Sequence, residues 1–318
     1  MDEAQAWPEV FPRLRGAIDA DRSRKNRFLL LGSVAPSLMT QVSDSLAGRL
    51  ARVRLDPLSL LEVEGTAGSE SEKDTLLDRL WWRGGFPEPF LERSDLRWQS
   101  DYLRNLADRD LPEWGLTAKP TATWRLFHML AAVHGQTQNL SQLGKSLGLS
   151  YHTVGDYLDF LEGAYLIRRL PIFAANVKKR LVKSPKVYWC DSGLLHSLLQ
   201  VRQFDALWQQ PWVGASWEGF VIDQIERHLR SQGREAHLSF FRTSDQKEID
   251  LVLEEGGKIT AIEIKLSSSV SPGDLKKLND AADLIDADQR VLISRHPDVI
   301  QGAGVLCTTL YGFLKELG

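Results

Sequence analysis

The sequence predicts an α/β multi-domain protein on three observations: an apolar run ending in Gly-Ser near the N-terminus, a helix-turn-helix pattern in the middle, and a glycine-pair turn between alternating runs near the C-terminus. At 318 residues there is room for two or three domains, each with its own core. The 43% hydrophobic and 25% charged composition is that of a folded chain. A formal charge of -3 excludes a globally basic protein, so any nucleic-acid surface must come from local clustering. Cys190 and Cys307 stand singly and far apart, which excludes a disulfide framework or a structural zinc and fits a reducing cytoplasm. The opening MDEAQAWPEV is acidic, and apolar runs such as Phe28 to Leu31 are too short to span a bilayer. Neither signal peptide nor membrane anchor is expected, and the expected location is cytoplasmic.

Taken in order, FLLLGS at 28–33 follows the basic turn RSRKNR and is expected to be a buried parallel strand opening onto a site. SLMTQVSDSLAG is expected to be helical. In RLARVRLD, Leu50, Val53 and Leu55 alternate in a roughly strand-like way until Asp56-Pro57 stops the run. GTAGSESEKD, 65–74, is expected to be a surface loop, and the pattern beyond it is helical to about residue 163. These shifts divide the chain at 1–64, 65–190 and 191–318.

Within the helical part, Leu140, Leu143 and Leu147 line one short helix, Gly148-Leu149-Ser150 makes a turn, and Ser150 is placed to cap a second helix bearing Val154, Tyr157, Leu158 and Leu161. The β-rich runs YLIRRLPIF and LVKSPKVYWCD follow, which favours a winged helix-turn-helix. Arg168, Arg169, Lys178, Lys179, Arg180, Lys183 and Lys186 form a basic cluster with no acid among them. Phosphate contact with DNA is one expectation for it, and a solvated face is the other.

The strongest signal is EIDLVLEEGGKITAIEIKLS, 248–267. Gly256-Gly257 suits a two-residue primed turn, because both residues take positive φ readily. That turn pairs Glu255 with Lys258, and counting back sets Asp250 opposite Glu263 on one face, with Lys265 two residues on. Two facing carboxylates repel. A magnesium or manganese ion held by Asp250 and Glu263, with the Ile264 carbonyl, would relieve them, while Lys265 would orient or activate a water. The plainer reading is a surface hairpin in which Lys265 pairs with Glu248.

These residues resemble the PD-(D/E)XK nuclease superfamily: an acid near the end of one strand, here Asp250, then (D/E)-x-K on the next, here Glu263-Ile264-Lys265. The superfamily often adds a carboxylate from the preceding helix. Glu218 in SWEGFVIDQIERHL fits that place, its alternative role being a first-turn charge favoured by the helix dipole. The resemblance implies a C-terminal PD-(D/E)XK-like α/β domain with Asp250, Glu263, Lys265 and Glu218 as catalytic residues.

Over nearly the full length, DEAQ at 2–5, RFLLLGS, SLAGR, PLSLLE, RGGFPE, RDL and KSPKVYWCDSGLL resemble prokaryotic AAA-type ATPases of the archaeal kind that carry a C-terminal domain of unknown function. The resemblance implies a partial P-loop-type unit in which Asp2 helps hold magnesium, Glu3 positions water, Ser33 stands at a sensor position and Arg49 reads the γ-phosphate. Terminal charges, a strand-end cap and a solvated arginine are the plain alternatives. The family's G-x-x-x-x-G-K-[ST] loop belongs upstream of DEAQ, where this chain starts. Gly144-Lys145-Ser146 does not replace it, because Asn139 stands where the earlier glycine is required. The expectation is therefore an amino-truncated member that does not hydrolyse ATP by itself, with an exposed apolar edge at Phe28 to Leu31 and its least stable region at 1–64. The expected partner is DNA, and homo-oligomerisation is left open. The competing readings are a non-catalytic DNA- or protein-binding module and a remnant without function.

Overall fold

The computed structural model describes residues 4, 7, 9–32, 46–51, 53–65, 69–91, 97–173, 184–296 and 300–318. The helices of seven residues or more are α1 (Val10–Ala20), α2 (Glu70–Arg83), α3 (Arg97–Asn105), α4 (Pro120–Ala132), α5 (Leu140–Leu147), α6 (Tyr151–Gly163), α7 (Ser192–Leu198), α8 (Val213–Ser231), α9 (Pro272–Ala282) and α10 (Leu310–Glu316). The strands are β1 (Ile167–Leu170), β2 (Lys186–Trp189), β3 (His237–Arg242), β4 (Glu248–Glu255), β5 (Lys258–Ile264), β6 (Gln289–Ile293), β7 (Ile300–Gly302) and β8 (Val305–Thr308). Among the described residues no helix is long and apolar enough to cross a membrane.

The chain divides into two compact units, the first comprising Met1–Leu55, Asn105–Trp124 and Leu140–Ile167. In it α1 packs Val10, Phe11 and Leu14 against Ala4 and Leu46, with Leu30 at the margin. The strand expected at 28–31 does not form, nor does one around Leu50 to Leu55. Leu29 is 73% exposed, Val53 90% and Leu55 97%, and Phe28 and Leu31 are exposed too. No described segment pairs with either run as a strand, and a single backbone hydrogen bond from the Ala4 N–H to the Leu31 carbonyl at 3.0 Å does not make a ladder. The helix expected at SLMTQVSDSLAG falls largely outside the described residues.

The helix-turn-helix forms as expected. Ser150 accepts a hydrogen bond from the Thr153 N–H at 3.1 Å, Gly148 takes φ 70°, and Leu143, Val154, Leu158 and Leu161 are buried. The exposed side of α6 carries Asp156 and Asp159.

The second unit comprises Asp56–Arg104, Arg125–Asn139 and Arg168–Gly318. The loop expected through residue 74 ends earlier: Ser69 caps α2, which begins at Glu70, because a serine with acidic residues just behind it is a helix start. The β-rich runs expected after α6 pair as the two-stranded sheet β1-β2. The main sheet is mixed, in the order β3-β4-β5-β6-β8-β7. β3, β4 and β5 form an antiparallel meander, and α9 then crosses over so that β6 lies parallel to β5. On one face Leu251, Ile262 and Ile293 join Phe220, Val221 and Ile225 of α8 and Leu310 of α10. On the other Ile249, Val252 and Leu292 join Leu278 and Ala281 of α9.

Ile249 and Leu251 are two apart yet lie on opposite faces, which regular alternation forbids. The β3–β4 register explains it. Ser239 pairs with Val252 but Phe241 with Ile249, so Asp250 and Leu251 together face the single residue Phe240. This is a β-bulge, a device that re-aims a side chain.

Three of the quoted motifs meet in the interior. Asp191 of KVYWCDSGLL accepts from the Gly85 N–H at 2.8 Å and caps α7 through the Leu194 N–H at 3.0 Å. Gly84 of RGGFPE has φ +81°, and a Cβ there would lie 2.1 Å from the Asp191 carboxylate. Arg227 of α8 donates to the Leu58 carbonyl of PLSLLE at 3.1 Å and the Cys190 carbonyl at 2.9 Å, while its Nε stands 2.7 Å from Asp223. These motifs are the parts of one buried polar joint.

Candidate functional site

The β4–β5 hairpin turns through Gly256 at φ 58° and Gly257 at φ 79°, the positive values a primed turn requires. Glu255 pairs with Lys258 as predicted, and the ladder runs back to Leu251 opposite Ile262. The ladder ends there, and beyond it Asp250 and Glu263 lie close enough for their charges to act on one another. The Asp250 carboxylate accepts from the Ile264 N–H at 2.9 Å, and Lys265 Nζ lies 2.6 Å from Glu263 Oε1. The Lys265 backbone N–H, bonded to the Ile293 carbonyl at 2.8 Å, fixes the exit from β5. The hairpin thus gathers Asp250, Glu263 and Lys265, and the bulge falls on Asp250.

Glu218 joins them from α8. That helix begins at Val213 and has no acid in its first turn, so the dipole explanation for Glu218 does not apply. Its Oε1 accepts from Lys186 Nζ at 2.8 Å and from the Tyr188 hydroxyl at 2.5 Å. Lys186 Nζ has a second carboxylate, Glu248 Oε1, at 2.8 Å, and lies 5.4 Å from the centre of the Phe240 ring. Glu248 therefore pairs with Lys186, and at 3.5 Å with Arg242, instead of with Lys265.

Burial, then the charges of Glu218 and Glu263, hold the Asp250 carboxyl well above the usual range. Burial also raises Glu263, against the pull of Lys265. For Lys186 burial disfavours the ammonium form, but Glu218, Asp250 and Glu248 outweigh it and raise its pKa. Burial and Glu218 raise Tyr188, which stays a phenol and a donor. Four carboxyl groups stand against two ammonium groups, with Arg242 at the margin, and their crowding favours a proton on Asp250.

Among the described residues no group of three or more His, Cys, Asp or Glu side chains is arranged to hold a metal ion. Asp250 and Glu263 offer two carboxyl groups, the number magnesium commonly takes from a protein while keeping several of its waters.

The basic cluster is corrected in two places. Lys186 is 4% exposed between its carboxylates, and Arg168, mostly covered, is turned onto Asp223 at 3.1 Å and onto Glu226, so both are engaged by carboxylates within the protein. Burying a cation is tolerable only with such partners. Arg169 is half-buried in β1, and Lys178, Lys179, Arg180 and Lys183 lie outside the described residues. So do Asp2, Glu3 and Ser33. Arg49 forms a two-pronged pair with Asp19 at 2.8 and 2.9 Å, which holds the exposed Asp19 carboxyl down to about 2.

Sequence reasoning missed Lys186, Tyr188 and Glu248 as members of the site. The available signal was Lys186 and Tyr188 two apart in a short run of otherwise apolar residues, which marks a strand whose polar side chains need an internal partner.

Comparison with known proteins places three families along the chain. Residues 1–64 match an AAA domain, residues 74–205 a domain of unknown function (DUF8612), and residues 213–310 a domain of unknown function (DUF4143). The chain thus contains an AAA-type segment followed by two domains of unknown function. Uncharacterized proteins of Mycobacterium tuberculosis and Mycobacterium bovis are each 38% identical over 274 residues, 85% of this chain and 59% of theirs. An uncharacterized protein of Haemophilus influenzae is 23% identical over 284 residues, 83% of this chain and 64% of its own. The chain spans about three-fifths of the length of these relatives. No solved structure matches it.

Proposed function

We propose that the domain at 213–310 is a metal-dependent nuclease-like centre of the PD-(D/E)XK kind, acting on DNA and attached to the AAA-type segment. The observation that supports this reading is the meeting of Asp250 and Glu263 at the base of the β4–β5 hairpin, with Lys265 on Glu263 and Glu218 close enough to act on Asp250. Asp250 and Glu263, with the Ile264 carbonyl, would hold magnesium or manganese. Such an ion would polarise a phosphate oxygen and lower the pKa of a bound water. Lys265, 34% exposed, is the ammonium that reaches solvent and is placed to orient the attacking water. Glu218 adds the helix-borne carboxylate, held in one orientation by Lys186 and Tyr188.

The test is incubation of the full chain with plasmid DNA and manganese or magnesium. Cleavage is expected, and Asp250→Ala should abolish it while leaving the circular-dichroism melt in place. No cleavage with any divalent ion, or full activity in Asp250→Ala, overturns the reading.

A second reading is a binding module without chemistry. The acidic exposed side of α6 and the buried pairing of Arg168 and Lys186 favour a protein partner over DNA for the helix-turn-helix, because carboxylates facing phosphates repel. DNA binding that weakens with salt, is lost on neutralising Lys178, Lys179 and Arg180, and survives Asp250→Ala would support the module with DNA as its ligand.

A further inference from the structure

Resting on the reading of Asp250 and Glu263 as the ion's ligands, we propose that Lys186 is a positioning residue of that centre: a tethered cation that orients Glu218 and Glu248 and sets how tightly a divalent ion is taken up. β2 is buried along its length. A methionine would pack there without any desolvation cost, whereas a buried ammonium needs partners to be tolerated. Its partners are two carboxylates from different elements, Glu218 of α8 and Glu248 of β4, each at 2.8 Å. Phe240, the residue that the bulge at Asp250 faces, lies beneath the ammonium.

Two consequences follow. Glu218 Oε1 already accepts from Lys186 and Tyr188, so that oxygen is occupied and the carboxylate is fixed in direction before any ion arrives. Lys186 also places a positive charge near Asp250, one of the carboxylates a divalent ion would use, so it competes with the ion electrostatically. Removing that charge should tighten ion binding, and removing the Glu248 charge should weaken it. Each change is expected to be roughly tenfold for charges several ångströms apart in a partly buried site.

The experiment is a manganese titration of the full chain, with free manganese read by electron paramagnetic resonance, in the wild type, Asp250→Asn, Lys186→Met, Glu248→Gln and the double variant Lys186→Met/Glu248→Gln. The wild type should bind an ion that Asp250→Asn loses. Lys186→Met should bind it more tightly, Glu248→Gln more weakly, and the double variant should return close to wild type. If Lys186→Met does not fold, Glu248→Gln, at a partly exposed residue, carries the test by itself. A lysine that only supports the fold would alter melting without moving manganese affinity. Binding that depends on Asp250 but is unchanged, or shifted in the opposite sense, in the charge variants overturns the role of Lys186. Absence of any binding that depends on Asp250 overturns the metal-centre reading itself.

Discussion

Residues 28–31 and 249–253 are both rich in branched and aromatic side chains, yet the second run is a strand inside a sheet and the first forms no strand. Ile249, Leu251, Val252 and Leu253 are buried, with β3 on one side and β5 on the other. Phe28, Leu29 and Leu31 are exposed. The difference lies in the neighbours. A strand's side chains gain free energy only when pairing and a covering layer remove them from water, and an apolar pattern states a capacity that the rest of the chain must fulfil.

The largest effect that would sharpen this contrast comes from one substitution made in both units. In α7, a Cβ at Gly193 would lie 2.0 Å from the Arg83 carbonyl oxygen. Neither helix backbone can yield without parting Asp191 from Gly85. Gly193→Ala should therefore cost at least about 3 kcal/mol, the upper end of what overpacking usually costs, because the clash is with backbone that cannot move aside. In α1, Gly16 has open space around its Cβ position, and Gly16→Ala should stabilise that helix by up to about 1 kcal/mol. Urea unfolding followed by circular dichroism measures both. Equal effects at the two positions would break the contrast.

What could be read from the sequence divides along the same line. The Gly256-Gly257 turn, the Ser150 cap and the Asp250–Glu263 juxtaposition were legible because each follows from residues close in sequence. The bulge at Asp250 was not, since it depends on how β3 arrives at β4. Nor was Lys186, whose partners Glu218 and Glu248 come from other elements; its place in a basic cluster pointed outward. The same holds for Arg227, which joins Leu58, Cys190 and Asp223. The expected strand at 28–31 failed for the converse reason: its local pattern was sound, but no described strand lies beside it.

A middling effect is expected from acid. His196 is buried, with Nδ1 against the Trp82 carbonyl at 2.9 Å and Nε2 against the Ser216 hydroxyl at 2.7 Å. Burial holds it down to about 4. Burial likewise holds His134 down to about 3. Both are neutral when folded and become protonated on unfolding below about pH 6.5. The unfolded state then binds more protons, so stability falls as pH drops, by about 2 kcal/mol per histidine between pH 6.5 and 5. Asp250 and Glu263, raised by burial, act with the opposite sign, because there the folded state binds the extra protons. His196→Gln should flatten the loss by about one proton's slope in urea midpoints measured from pH 7 to 5. An unchanged slope would mean that acid stability is not set in this interior.

The smallest effect belongs to the exposed runs. Leu55 and Val53 lie almost wholly in solvent, so Leu55→Ser and Val53→Ser remove no buried area, and each should change stability by less than about 0.5 kcal/mol. Leu251, buried on the α8 face, is the control: Leu251→Ser opens a cavity and strands a hydroxyl in it, which should cost about 3 to 5 kcal/mol. The informative readout is the pair of urea midpoints at equal protein concentration, with light scattering alongside. If Leu55→Ser lowers the midpoint as Leu251→Ser does, residues 50–55 are covered in solution and the contrast between the two runs fails. If the midpoint holds while scattering falls, the exposed side chains serve association between molecules and not the fold, as expected of apolar side chains left in solvent.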